Sequence, residues 1–179
     1  MTGGRAESRP HTPGQTVGPF FGFALPWEGG EELLLPSHPK ALRLHGTVYD
    51  GAGDPVPDAL LEIWQTDTSG RVPRAEGSRR RDGWTFTGFG RAPTDEGGRY
   101  TFTTVRPATG FISMTVFARG LLDRLFTRVY LPGHEEDPFL AGIPDGRGST
   151  LLAQGSDDDL VFDIHLQGER ETVFLDFGA

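Results

Sequence analysis

The sequence predicts an all-β chain, an antiparallel β-sandwich with long irregular loops and an extended N-terminal arm. Three observations predict it. Seven or so short runs carry strand-like patterning and are separated by turn signals. Glycine and proline are abundant, 26 and 14 of 179 residues, as tight turns between short strands require. Helical periodicity is scarce, with room for a turn or two only in Pro138 to Leu152. No internal repeat is visible. The length suits one domain that buries roughly 70% of its unfolded surface.

Residues 1–11 read as a flexible arm, and residues 12–179 as the domain. The stretch TPGQTVGPFFGFALPW, from Thr12 to Trp27, is rich in Phe but broken by Pro and Gly. Such a segment must pack on something, either its own domain or a neighbouring subunit, and the sequence leaves both open. The next run alternates, with Leu42, Leu44, Gly46 and Val48 on one face and Arg43, His45, Thr47 and Tyr49 on the other. Gly51, Gly53, Asp54 and Pro55 favour a turn, and Ala59 to Gln65 is apolar on both faces, as a strand inside a sandwich is. Together Gly46 to Asp67 predicts an antiparallel hairpin, with Trp64 packed internally. Residues 68–98 read as loop, with Arg79, Arg80 and Arg81 solvated within it. Further strands are expected around Tyr100 and Phe102, along Phe111 to Ala118 with Ile112, Met114, Val116 and Ala118 on one face, and along Leu125 to Leu131. After a second loop, 132–158, strands are expected at Leu160 to Gln167 and at Thr172 to Phe177.

Composition narrows the function. The net charge of -8 disfavours a nucleic-acid backbone as partner, because binding phosphates takes clustered Lys and Arg. No cysteine is present, so disulfides and thiolate metal sites are excluded. The polar start lacks a signal-peptide core and no run reaches the roughly 20 apolar residues of a membrane span, so a cytoplasmic protein without membrane contact is expected.

Five blocks in order carry a family resemblance: TPGQTVGPFF (Thr12–Phe21), GTVYDGAGDPVPDALLEIWQTD (Gly46–Asp67), GFGRAPTDEGGRYTF (Gly88–Phe102), FARGLLDRLFTRVY (Phe117–Tyr130) and FDIHLQGERETVFLDF (Phe162–Phe177). Together they resemble the intradiol ring-cleavage dioxygenase family, and within it the α subunits of the protocatechuate 3,4-dioxygenases. The resemblance implies a sandwich of the intradiol dioxygenase type and an assembly of related α and β chains. It implies that the β chain holds a non-haem ferric ion through two tyrosines and two histidines. The substrate, 3,4-dihydroxybenzoate, chelates that iron, and O2 opens the ring to 3-carboxy-cis,cis-muconate in the β-ketoadipate route.

Ferric iron favours phenolate and imidazole donors, and three tyrosines and five histidines are present. Their positions do not suit a site. Tyr49 and His45 share a face but lie roughly 13 Å apart along a strand. Tyr100 and Tyr130 read as strand aromatics, and His165 lies on a polar face with Asp163 and Gln167. His11 falls in the arm, and His38 and His134 fall in loops. The His-x-His pair of iron-bearing relatives is missing where this chain has Gly110-Phe111-Ile112-Ser113-Met114. The segment before it, Arg106 to Gly110, is shortened, and Trp84 stands near a tyrosine position. The expectation is no metal ligand and no catalytic residue in this chain.

The resemblance instead places Thr16, Gly18, Pro19 and Arg119 on the family's substrate-pocket positions of the α chain. A guanidinium at a partly buried mouth would orient the substrate carboxylate. An ion pair of Arg119 with Asp123 or Asp176 is the structural alternative. Two other functions stay open: a self-sufficient intradiol catechol dioxygenase, and a non-enzymatic binding module with Trp27, Trp64 or Trp84 as its platform.

Overall fold

The computed structural model describes residues 16, 18, 20–74 and 81–177. Among these, nine strands build two sheets packed face to face. The first sheet contains β1 (Leu42–Tyr49), β4 (Arg99–Thr104), β7 (Gln154–Gly155), β8 (Asp159–Val161) and β9 (Ile164–His165). The second runs β3 (Phe89–Pro93), β2 (Leu60–Trp64), β5 (Phe111–Phe117), β6 (Leu125–Tyr130). The expected alternation of β1 holds: Leu42, Leu44, Gly46 and Val48 are buried and Arg43 is exposed. The same is true of β5, whose Ile112, Met114 and Val116 enter the shared core with Ala118. Tyr100 and Phe102 point inward from β4, and Leu61 and Ile63 from β2.

The expected hairpin is not a hairpin. β1 pairs with β4, and in parallel with β8 and β9, whereas β2 pairs with β3 and β5 in the other sheet. After β1 the chain turns on Asp50, whose carboxylate accepts the N–H groups of Ala52 and Asp54 at 2.9 Å. It pairs back once, through Tyr49–Pro55, with Val56 N–H donating to the Val48 carbonyl. Pro55 and Pro57 have no N–H to offer a ladder, so pairing stops and the chain crosses to the second sheet. There Thr94 receives it, its hydroxyl accepting the Ala59 N–H and donating to the Val56 carbonyl.

Three further expectations change. Residues 68–98 hold strand β3, too short and Gly-broken to show periodicity, in register with β2. Thr172–Phe177 is not a strand: it lies along the β6 edge through Leu175 N–H to Phe126 carbonyl and Thr127 hydroxyl to Val173 carbonyl. The run Leu160–Gln167 breaks at Phe162–Asp163, where the backbone crosses Gly46. A Cβ on Gly46 would sit 2.0 Å from the Phe162 carbonyl oxygen, so only glycine fits there. Asp163 accepts the Thr47 N–H at 2.9 Å across this break. The loop 132–158 holds helix α2 (Pro138–Ala141), capped by Asp137, and a 3₁₀ segment Pro144–Leu151, the helical turns its sequence allowed.

The Phe-rich entrance packs on its own domain in part. Helix α1 (Phe21–Ala24) buries Phe21, and Gly30 to Leu33 bridges the two sheets, accepting the Arg91 N–H on β3 and bonding Thr103 on β4. Arg81 is not solvated. Its half-buried guanidinium donates to the carbonyls of Gly29, Gly30 and Phe89, clamping this segment to β3. Arg79 and Arg80 lie outside the described residues. Phe20 and Phe23 remain exposed, Phe23 at 87%.

Candidate functional site

The pocket positions implied by the resemblance lie at two places in the fold. Thr16 is exposed, and its hydroxyl accepts the Gly18 N–H at 3.4 Å. Gly18 has φ 74° with open space around its Cα, so its glycine serves conformation rather than close packing. Pro19 lies outside the described residues. Arg119 follows β5, and its guanidinium forms an ion pair with Asp58, which precedes β2. The Leu60–Phe117 register explains this meeting, because it brings the start of β2 beside the end of β5. The sequence nominated Asp123 or Asp176; the strand pairing supplies Asp58, a distant residue that no local pattern reveals. The Arg119 side chain is 66% exposed and Asp58 27%, so the carboxylate anchors and the guanidinium reaches outward. Among the described residues no hydrogen bond or ion pair joins Thr16 or Gly18 to Arg119.

The described tyrosines and histidines do not fit a ferric centre. Tyr100 is buried and its hydroxyl donates to the Phe162 carbonyl at 2.6 Å; burial, then the Asp163 charge, push its pKa well up, against the phenolate that iron needs. Tyr130 is buried in the other sheet, accepting a hydrogen bond from Arg128 at 3.1 Å. Tyr49 stacks flat on His165, ring centres 4.9 Å apart. His45 lies 3.2 Å from both Arg43 and Asp159, and His38 packs edge-on to Trp84. Asp82, near Trp84, is an acceptor for the Thr85 hydroxyl and for two backbone N–H groups, which hold its carboxyl at about 2. Among the described residues no group of three His, Cys, Asp or Glu side chains could hold a metal ion. His11 lies outside the described residues.

Where the sequence lacks the His-x-His pair, Phe111 and Ser113 point outward from β5 into a cleft of about 210 Å³ with Trp64, Thr66, Val72 and Thr109. Trp64, expected inside, is 47% exposed and packs only its Phe89 side, at 4.8 Å. The reason is the β2 phase: Leu61 and Ile63 take the shared core, which turns Glu62 and Trp64 to the outer face, where Leu60 at the strand start is still covered. Glu62 meets Arg91 there as an ion pair, with Trp27 against both Phe89 and the Arg91 guanidinium.

A family model described as "Dioxygenase" matches residues 35–135. The sequence is 36% identical to the protocatechuate 3,4-dioxygenase alpha chain of Burkholderia cepacia over 92% of this chain and 96% of that one. The chain belongs to the intradiol dioxygenase family. Within this family the α-type resemblance is equally plain for the Pseudomonas putida alpha chain, 36% identical over 98% of its length. A beta chain from Burkholderia cepacia also matches, 30% identical over 71% of this chain and 64% of its own. Among solved structures, the dioxygenase domain of a carbohydrate-binding fusion from Streptomyces sp. SirexAA-E superposes with TM-score 0.57 at 28% identity, over 88% of this chain and 98% of that domain. Catechol 1,2-dioxygenase from Acinetobacter sp. ADP1 shares the fold, TM-score 0.52 at 21% identity over 75% of this chain and 55% of that one. The intradiol-dioxygenase sandwich expected from the sequence is therefore the fold observed. No helix among the described residues is long and apolar enough to cross a membrane.

Proposed function

We propose that the chain is the α subunit of a protocatechuate 3,4-dioxygenase, acting in the cytoplasm with an iron-bearing β subunit to convert 3,4-dihydroxybenzoate and O2 to 3-carboxy-cis,cis-muconate. The observation that carries this reading is the match along nearly the whole length of two α chains. It is supported by tyrosines engaged elsewhere, which leave the ferric site to the partner. Iron on the partner supplies the oxygen chemistry; this chain's residues bind and orient.

In this reading Thr16, Gly18, Pro19 and Arg119 form its share of the pocket wall. Arg119 attracts the substrate carboxylate, while Asp58 holds the other edge of the guanidinium and limits its rotamers. The Thr16 hydroxyl and the turn at Gly18 bring backbone close to the ligand. Arg119→Ala in the assembled enzyme is expected to raise KM about tenfold, the size of one partly exposed charged hydrogen bond. Asp58→Asn should raise it less. KM and turnover both unchanged in Arg119→Ala would remove Arg119 from the pocket.

A further inference from the structure

The sequence contains no asparagine and three Asp–Gly bonds, Asp50-Gly51, Asp82-Gly83 and Asp145-Gly146. An Asp–Gly bond rearranges without a catalyst. The glycine backbone nitrogen attacks the aspartate Cγ, the carboxylic OH leaves as water with the N–H proton, and a five-membered succinimide forms. Water then adds to either ring carbonyl, restoring aspartate or leaving isoaspartate, whose main chain runs through Cγ. Glycine favours the attack because it carries no Cβ to hinder the nitrogen or its rotation. The attack also requires a carboxyl free to swing onto the backbone, and in this respect the three bonds differ.

Asp50 and Asp82 are tied down. The Asp50 carboxylate accepts the N–H groups of Ala52 and Asp54, each at 2.9 Å, while its own N–H donates to the Asp54 carbonyl. The Thr85 hydroxyl, then the N–H groups of Thr85 and Trp84, hold the Asp82 carboxyl well below its usual range. An ionised carboxylate has no OH to lose. Gly83 is fixed as well: its carbonyl accepts the Leu35 N–H, and the Leu35 side chain fills the space beside its Cα.

Asp145 is the opposite case. It is exposed, and no hydrogen bond or ion pair engages its carboxylate among the described residues. Its φ of 59° is the one positive value at a described residue other than glycine, a left-handed conformation that costs an L-residue about 1–2 kcal/mol. The ψ rotation that swings the Gly146 nitrogen toward Cγ therefore starts from a raised ground state. Gly146 follows at φ 67°, with open space where a Cβ would stand. The Ser149 hydroxyl holds the Gly146 carbonyl at 3.1 Å, but that carbonyl belongs to the next peptide unit, not to the one that reacts. The two residues form the kink of the 3₁₀ segment Pro144–Leu151, between Leu140 and Leu151, which cover Tyr130.

We propose that Asp145-Gly146 is a site of spontaneous isoaspartate formation in the folded chain, and that the fold protects the other two Asp–Gly bonds. The product adds one carbon to the main chain between α2 and Leu151, lengthening the link between the two residues that cover Tyr130.

The test is storage of the full-length chain, folded below its unfolding transition and separately in urea, followed by tryptic digestion and mass spectrometry. Asp145 falls in the peptide Val129–Arg147, whose other aspartate, Asp137, precedes Pro138, a residue with no N–H to attack with. Electron-transfer fragmentation identifies isoaspartate by breaking the Cα–Cβ bond, which lies in the main chain only of the β-linked residue. In the folded chain, isoaspartate at Asp145 is expected at least about tenfold above that at Asp50 or Asp82, the factor for one carboxylate hydrogen bond that must break first. In urea the three sites should converge. A folded chain without isoaspartate at Asp145, or with as much at Asp50 or Asp82, overturns the proposal. An excess at Asp145 that persists unchanged in urea assigns the bias to local sequence rather than to the fold, and overturns it too.

Discussion

On the first sheet, the outward positions of β1, β4 and β8 carry Arg43, His45, Thr47, Arg99, Thr101 and Asp159, and all of these but Asp159 line an open depression of about 680 Å³. On the second, the outward positions of β2, β3, β5 and β6 carry Trp64, Phe89, Phe111, Phe126 and Arg128. Inside, the two sheets are alike, with Leu44, Val48 and Phe102 facing Leu61, Ile63 and Met114 in one core. The difference is outside. An outer face of charged and hydroxyl side chains, with Arg43 and His45 both against Asp159, is what water requires; an aromatic face whose Arg128 has no described carboxylate partner is what a ligand or partner requires. Of the candidate residues for function, Arg119 goes with the second sheet, meeting Asp58 at the end of its two central strands.

The largest expected effect probes what holds the first sheet together. Gly46→Ala forces the Phe162–Asp163 crossing away from β1, because backbone, not a movable side chain, occupies the Cβ position. A loss of about 3 kcal/mol is expected, a fall in Tm of roughly 6–12 °C for a chain of this size, measured by thermal unfolding. A Tm within a degree or so of the parent would mean that the crossing is pliable and the sheets differ less than described.

The next effect compares one ion pair from each outer face. Arg91 and Glu62 are mostly covered, at 18% and 17%, whereas Arg43 and Asp159 are at 56% and 46%. Glu62→Gln leaves a covered guanidinium without its charge partner and should cost about 2–3 kcal/mol in denaturant unfolding. Asp159→Asn should barely move the midpoint, since solvent screens that pair. Equal losses would erase the contrast between the faces.

The smallest effect is a pH slope on the first sheet. Burial, followed by the charge of Arg170, lowers the His165 pKa from its ordinary 6.5, against a smaller opposing pull from Asp163. The unfolded chain therefore binds a proton that the folded chain resists. Stability from this group is complete above pH of about 6.5 and falls as pH drops below it. His165→Gln should flatten Tm against pH between about 7 and 5; an unchanged slope would show that other groups set it.

How much of this was legible in the sequence follows from the range of each interaction. Alternation in β1 and β5 is local, so the buried faces could be read directly. The pairing of β1 does not show in the sequence, where Pro55 and Pro57 look like ordinary turn residues; their missing N–H groups matter only once the ladder they interrupt is known. Trp64 is expected inside from its place in the hairpin strand, but Leu61 and Ile63 set the phase and turn it out. Gly29 and Gly30, which Arg81 clamps, and Asp58, which pairs with Arg119, lie tens of residues distant, and no spacing pattern encodes them. The Phe111–Arg128–Phe139 stack joins two strands and a helix for the same reason.

The central claim is that this chain shapes a dioxygenase without holding its iron. It is tested by purifying the chain alone and co-expressed with a β subunit, measuring bound iron, visible absorbance and O2 uptake with 3,4-dihydroxybenzoate. The account predicts a colourless, inactive chain alone, and iron with oxygen uptake only when both chains are present. A coloured ferric–tyrosinate protein that consumes O2 without a partner would contradict it.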